Sequence, residues 1–334
     1  MEVESTLTGH EGIVWTLDYC QRWGLLASAG QDHTIRIWKI GDTAPSCHFQ
    51  LQGAHQKTIR CVAWSHSGRH LAAASFDGTV SIWTHNLKDG EKDLPSAQWR
   101  CTAQLEGHES EVKSCQWSPG DDFLATCGRD RSVWIWRVLE DSVDPAGIEF
   151  ECDAVLMEHS QDVKAVAWCP WREQLLMSAS FDGTIRAFTA LLDDDEWMVC
   201  GLLRRRSTES NDGSNVVDGG TVWCLAFPSE TSRMMMSGSE DGGLAVWRVD
   251  PEPPSSSLTR LPFSPLPTVH QVHLGAILCA CFISDRVVAT GGGDRALVLT
   301  DLDDGTTLGR VEVPAEVNCI VRLPESRIAA ALDD

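Results

Sequence analysis

The chain has 334 residues and a formal charge of -21, with 43% hydrophobic and 22% charged residues, a balance that excludes a disordered or collagen-like chain. So large a surplus of carboxylates works against general binding to nucleic acid or anionic lipid, which relies on clustered Lys and Arg, and no run of about 18 apolar residues is present to span a bilayer as a helix. The acidic start MEVESTLTGHEG enters a structured motif at once and leaves no room for a signal peptide, so a cytoplasmic protein is expected, with nuclear entry left open.

A single core stops growing at about 250 to 300 residues unless the fold is repetitive, so internal repeats come first. Lines aligned on a histidine show an aspartate about 22 residues on and a tryptophan about six residues after that. The first unit has His10, Asp32 and Trp38, the second His55, Asp77 and Trp83, and the third His108, Asp130 and Trp136. The fourth has His159 and Asp182, with Phe188 in the tryptophan place. The fifth keeps Asp241 and Trp247 without the histidine, and the sixth has His273 and Asp294 with Leu299 for the aromatic. The seventh shows only EVNCIVRLPESRIAAALDD. Within a unit, runs such as VAWS, LAAAS and VSIW alternate with SGRH and FDGT, which reads as short antiparallel strands with tight turns. Asp-Gly at 77, 182 and 241 suits hairpins whose central residues both take positive φ. Such small sheets bury their faces only by stacking in a ring. The prediction is an all-β, seven-bladed propeller in one domain, with repeats near 7–45, 50–98, 100–150, 151–200, 201–250, 258–305 and 306–334 plus an N-terminal strand.

Gly9-His10, Gly107-His108, IRIW, VSIW, VWIW and LAVW resemble the WD40 family over nearly the whole chain. The resemblance implies that histidine, strand Ser or Thr, turn aspartate and tryptophan form a hydrogen-bonded tetrad in each blade, as His10, Ser28, Asp32 and Trp38 would. Ser, His and Asp also suggest a nucleophilic triad, but repetition in several blades argues for structure. The histidines form no HxxxH or HxH pair, which argues against metal. No catalytic, metal or cofactor residues are assigned, and a non-enzymatic docking protein is expected.

By the same resemblance, three positions per blade reach the top rim: the third and fifth residues after the histidine, and the residue before the aspartate. The fifth positions are Trp15, Arg60, Lys113, Lys164, Trp223, Leu278 and, by alignment on VNC, Asn318. Before the aspartates stand Gln31, Phe76, Arg129, Phe181, Glu240 and Gly293. Arg60, Lys113, Arg129 and Lys164 thus share a sector with Phe76, Phe181, Trp15 and Trp223. Cations mixed with aromatics suit capture of an acidic peptide carrying an aromatic residue, a free C-terminal carboxylate included.

LEGHESEVKSCQWSPGDDFLATCGRDRSVWIW, HSQDVKAVAWCP and SASFDGTIRAFTALLDDDEW further resemble the WD40 scaffold of the cytosolic iron-sulfur cluster assembly machinery. That resemblance implies a role in a targeting complex, with a small carrier adaptor and a HEAT-repeat scaffold, that helps deliver clusters to apo-proteins. It also matches Arg129 to a top-face arginine. The alternative is a WD40 adaptor of another complex, either a ubiquitin-ligase substrate receptor or a chromatin or signalling adaptor. Thirteen cysteines without a CxxC pair read as reduced thiols; Cys61, Cys115 and Cys224 fall on predicted inner strands as small apolar residues, not cluster ligands. Residues 204–220, with Arg204, Arg205 and Arg206, read as a mobile top-rim loop, and 139–153 and 251–267 as further flexible excursions. Asp333 and Asp334 fall where blade seven should begin its third strand. Truncation, incomplete closure and a strand supplied by a partner all remain open.

Overall fold

The computed structural model describes residues 3–41, 45–86, 98–140, 148–190, 196–204, 220–228, 233–249 and 263–333, with backbone alone at Glu140 and 263–269. Six four-stranded antiparallel sheets and one two-stranded sheet follow one another along the chain. Blade one holds β1 (Val14–Cys20), β2 (Leu25–Gly30), β3 (Ile35–Lys39) and β4 (Ser46–Leu51); blade two holds β5 (Ile59–Trp64), β6 (His70–Ser75), β7 (Thr79–His85) and β8 (Trp99–Glu106). Blade three comprises β9 (Val112–Trp117), β10 (Phe123–Gly128), β11 (Val133–Glu140) and β12 (Ile148–Leu156), and blade four β13 (Val163–Trp168), β14 (Leu175–Ser180), β15 (Thr184–Ala190) and β16 (Trp197–Arg204). Blade five has β17 (Val222–Ala226), β18 (Met234–Ser239), β19 (Gly243–Val249) and β20 (Phe263–Gln271), and blade six β21 (Ile277–Phe282), β22 (Val287–Gly292), β23 (Ala296–Asp301) and β24 (Thr307–Glu312). Blade seven is β25 (Val317–Arg322) and β26 (Ile328–Leu332).

The innermost strands pack side by side in order, and β25 returns to β1 to close the ring. An apolar cluster fills each of the seven gaps between blades. Leu25, Ile37, Ile59 and Leu71 share the gap between blades one and two, and Met177, Ala187, Met235 and Trp247 that between four and five. The second strands are apolar on both faces because both are covered; β2, β10 and β14 are buried along their whole length. At the seam the fill thins. Only Cys279, Ala289, Val317 and Ile320 are buried between blades six and seven, and β26 is buried at Ala331 alone. Between seven and one, Leu17, Leu26, Trp38 and Leu323 pack together, while Asn318 Nδ2 donates to Val14 O at 3.2 Å and Cys319 Sγ to Leu17 O at 3.4 Å.

Three expectations are corrected. Residues 3–13 form no strand, so the ladder expected from the N-terminus is missing; β26 pairs with β25 only. The expected excursion at 251–267 ends in strand, since β20 starts at Phe263, and its two prolines are borne by an outermost strand, where a missing N–H costs least. Residues 139–153 likewise belong at their ends to β11 and β12. The remainder of those segments, and 205–219 with Arg205 and Arg206, lie outside the described residues.

The turn before each third strand also differs from its expected form. Only the residue after the aspartate takes positive φ: His33 at 61°, Gly78 at 91°, Arg131 at 68°, Gly183 at 74°, Gly242 at 77° and Arg295 at 57°. Gly78 N donates to Ser75 O at 3.2 Å, the pattern of a type I turn followed by one left-handed residue rather than a turn with two. Glycine is strain-free there; His33, Arg131 and Arg295 are not.

The tetrads are complete in blades one and three. In blade one Trp38 Nε1 donates to Ser28 Oγ (2.8 Å), which donates to His10 Nε2 (2.7 Å), and His10 Nδ1 donates to Asp32 (2.8 Å). Thr126 takes the serine place in blade three. Blades four and six keep histidine, hydroxyl and aspartate; blade five keeps the Trp247 to Ser237 bond. Blade two departs. Its second-strand position is Ala73, and Ser81, directly opposite in register, provides the hydroxyl to His55 and Trp83 instead. Ser28 is 3% exposed and already serves two partners, so no substrate carbonyl reaches it, and five copies of the arrangement serve packing.

In blades one to four the aspartate also collects backbone and hydroxyl donors, as Asp130 does from Glu109 N, Ser132 N and Ser132 Oγ. Burial acts to raise the Asp130 carboxyl, but the His108 and Ser132 bonds outweigh it and hold it down to about 2; Asp77 and Asp182 are lowered in the same way. Burial lowers His10 and His273, favouring their neutral form. Both signs point one way. The histidines' share of stability is present above about pH 6.5 and declines as pH falls below it, and the aspartates' share is present above about pH 4 and is lost towards pH 2. Melting temperatures followed by circular dichroism are expected to fall gently from pH 7 to 4.5 and steeply below pH 4; a flat profile down to pH 3 would contradict the tetrad as an anchor.

Candidate functional site

The register of the innermost strands explains why one residue per blade faces the rim. In blade one Val14 pairs with Gly30 and Thr16 with Ala29, so Trp15 is skipped. The same bulge skips Arg60, Lys113 and Lys164 in blades two to four, and Trp223, Leu278 and Asn318 in blades five to seven. A bulged residue leaves the ladder and is re-aimed, and here seven bulges at one level aim the fifth residues after the histidines at one end of the central channel. Neither hydrophobic period nor turn signal reveals such a bulge.

Four predicted cations and four predicted aromatics meet there. Arg60 lies over the Trp15 ring at 5.1 Å, Lys113 over Phe76 at 4.3 Å, and Lys164 between Phe181 at 5.1 Å and Trp223 at 5.0 Å. The rings are thus partners of the cations, rather than the independent flanking contacts expected from sequence. Such stacking orients a cation without neutralising it. Arg129 is set apart from the rings: its Nη1 bonds Glu111 Oε1 at 2.9 Å while its side chain stays 60% exposed. Phe181 is 47% exposed. Burial, and then the neighbouring Lys164 and Arg60 charges, lower the Lys113 ammonium from its usual value. Ser110 foremost, helped by a backbone amide and then by Arg129 and Lys113, holds the Glu111 carboxyl down to about 2 against burial.

Three acidic residues join this sector, of which the sequence reading names only Glu240, as a rim residue, and leaves out Glu111 and Asp162. Glu111 pairs with Arg129, Asp162 lies 3.6 Å from Lys164, and Glu240 accepts a bond from Trp223 Nε1. Glu111 and Asp162 are third residues after their histidines, a rim position already named, so the signal was present and only its occupants went unread.

The opposite mouth of the channel holds a concavity of about 690 Å³ that includes Asp18, Gln116 and Arg322. Burial pushes the Asp18 carboxyl up to about 6. Two of its polar groups are committed: Asp18 accepts the amides of Trp64 (2.6 Å) and Tyr19 (2.8 Å), and Gln116 that of Trp168 (2.6 Å). Cys61, Cys115 and Cys224 lie on innermost strands, the last two buried. Among the described residues no three His, Cys, Asp or Glu side chains are grouped to hold a metal ion.

A ring of such sheets, pinned by repeated His, Ser or Thr, Asp and Trp groups, defines a WD40 propeller. The family described as "WD domain, G-beta repeat" matches residues 1–39, 46–84, 99–137, 150–189 and 210–248. The WD40 propeller domain of Doa1 superposes with a TM-score of 0.70 over 99% of this chain and 93% of that one, at 17% identity, a likeness of fold. Among curated proteins, the "Probable cytosolic iron-sulfur protein assembly protein 1" of Vanderwaltozyma polyspora is 36% identical, covering 87% of this chain and 81% of its own. Its counterpart in Neurospora crassa is 32% identical over 66% of this chain and 56% of that protein, so the chain spans little more than half of that longer relative. The chain belongs to the WD40 family and, within it, to the group of the cytosolic iron-sulfur protein assembly proteins.

Proposed function

We propose that this protein is a non-catalytic docking scaffold of cytosolic iron-sulfur protein assembly, working in the cytoplasm. Its rim sector of Arg60, Lys113, Arg129 and Lys164 would receive acidic, aromatic-bearing tails of assembly partners and apo-protein clients. A small carrier adaptor and a HEAT-repeat scaffold are the partners that the family resemblance implies. The observation that carries the reading is the convergence of four cations on one rim of a chain with charge -21, three of them displayed by bulges and stacked on rings. Excess positive charge held in place, with one arginine largely exposed, is the chemistry that selects carboxylates. The test is a pull-down comparing native protein with the Arg60→Glu, Arg129→Glu, Lys164→Glu variant. Loss of iron-sulfur assembly partners and clients is expected, and their full retention would leave only a generic adaptor.

Glu111 competes with any incoming carboxylate for Arg129. Because that pair is exposed, and therefore worth about 1 kcal/mol or less, Glu111→Gln is expected to tighten binding of an acidic peptide about three-fold in a fluorescence titration; weaker binding would place Glu111 among the contacts.

A further inference from the structure

The residue after each bulge points at the neighbouring blade, and in four blades it is a cysteine: Cys61, Cys224, Cys279 and Cys319. Three of these thiols meet a backbone carbonyl of the next blade. Cys224 donates to Ile277 O at 3.8 Å, Cys279 to Val317 O at 3.4 Å and Cys319 to Leu17 O at 3.4 Å. Cys61 meets a carbonyl and a second thiol. Its Sγ lies 3.6 Å from Cys115 O, and Cys115 Sγ lies 4.0 Å from Cys61 O. Contacts in both directions lay the two side chains alongside each other across the gap between blades two and three. Their exposures differ: Cys61 is part-exposed, while Cys115 is 3% exposed. The Cys115 side chain beside it, opposed by burial and aided by the Cys115 backbone and the Arg60 charge, lowers the Cys61 thiol from its ordinary value; the Cys61 side chain and burial raise Cys115. A part-exposed cysteine whose thiol is lowered, lying against a buried one, is the arrangement of an attacking and a resolving cysteine.

We propose that Cys61 and Cys115 are an oxidative modification site that closes to a disulfide between the innermost strands of blades two and three when the protein meets hydrogen peroxide. The Cys61 thiolate attacks one peroxide oxygen, the O–O bond breaks, and hydroxide leaves, giving a sulfenic acid. Cys115 then gives up its proton and attacks the Cys61 sulfur; the S–O bond breaks and hydroxide leaves with that proton as water. Two thiols and one peroxide become one disulfide and two waters, so the sulfurs lose two electrons and the peroxide gains them. In reducing cytosol the pair rests as thiols. The new bond would lie directly beneath Arg60 and Lys113, tying together the two strands that display them.

The test treats the full chain with about one equivalent of hydrogen peroxide, blocks free thiols with iodoacetamide and digests with chymotrypsin without reductant. Cleavage after Trp64 and Trp117 separates Cys115 from Cys127, so the linkage is assigned by mass. A Cys61 peptide joined to a Cys115 peptide, released by reductant, is the expected result. In Cys115→Ser the sulfenic acid has no resolving partner, and dimedone is expected to label Cys61; in Cys61→Ser, Cys115 stays alkylatable. The proposal is overturned if both thiols of the native chain remain fully alkylated, if Cys61 pairs with Cys127 or Cys319 instead, or if Cys61 proceeds to sulfinic acid with Cys115 free. The native arm needs no variant, so a misfolded substitution does not blunt the result.

Discussion

Replacing Ser81 by alanine is expected to lower folding stability by about 3 kcal/mol, and adding Ala73→Ser to recover most of that loss. Ser81 Oγ sits 2.8 Å from His55 Nε2 and 2.9 Å from Trp83 Nε1, and all three side chains are buried. Its removal orphans one acceptor and one donor, each costing about 1 to 3 kcal/mol when left unpaired away from water. Ala73 is the direct cross-strand neighbour of Ser81 and stands where Ser28, Thr126 and Ser178 serve the other blades. A hydroxyl placed there would approach the same histidine and tryptophan from the second strand. Urea denaturation of the three proteins decides it: a Ser81→Ala variant within about 0.5 kcal/mol of native, or a double variant no better than the single, removes Ser81 as the hub of blade two.

The combined Arg60→Glu, Arg129→Glu, Lys164→Glu variant is expected to bind a synthetic tail ending in acidic and aromatic residues at least about 100-fold more weakly, with an unchanged melting temperature. Hydrogen bonds to charged groups contribute about 1.5 to 3 kcal/mol each, and three sign reversals replace attraction by repulsion across one sector. Non-additivity keeps the expected loss near 3 kcal/mol, which is about two orders of magnitude in Kd. Arg60 and Lys164 also support rings, so release of Trp15 and Trp223 should appear as changed tryptophan fluorescence. Native affinity is expected to weaken as salt is raised, because the attraction is screened. A loss smaller than about three-fold would detach recognition from this sector.

Much of this architecture was legible because the tetrad repeats: each His, Asp and Trp triplet checks the next, and blades one to four are placed by it. The rim set was legible only through resemblance, since the bulges that create it leave no hydrophobic period to read. Ser81 escaped notice because the pattern expects a second-strand hydroxyl, and Ala73 looks like a plain core residue until the register sets the two face to face. The left-handed turn residues were obscured by Arg131, His33 and Arg295, whose side chains disguise a backbone conformation that Gly78 and Gly183 announce. Glu111 and Asp162 went unread although both stand third after their histidines, a rim position the pattern names, because only the cations and rings of the rim were read.

The two-stranded seventh sheet has a consequence for where the docking sector stands. Where blades six, seven and one meet, the described residues are joined by small side chains and a few side-chain bonds, a sparser fill than in the other gaps. Blades three and four, which hold Arg129 and Lys164, lie on the far arc of the circle. Most of the proposed docking sector thus stands away from the sparsest gap, and Trp15 alone of its residues borders the junction of blades seven and one.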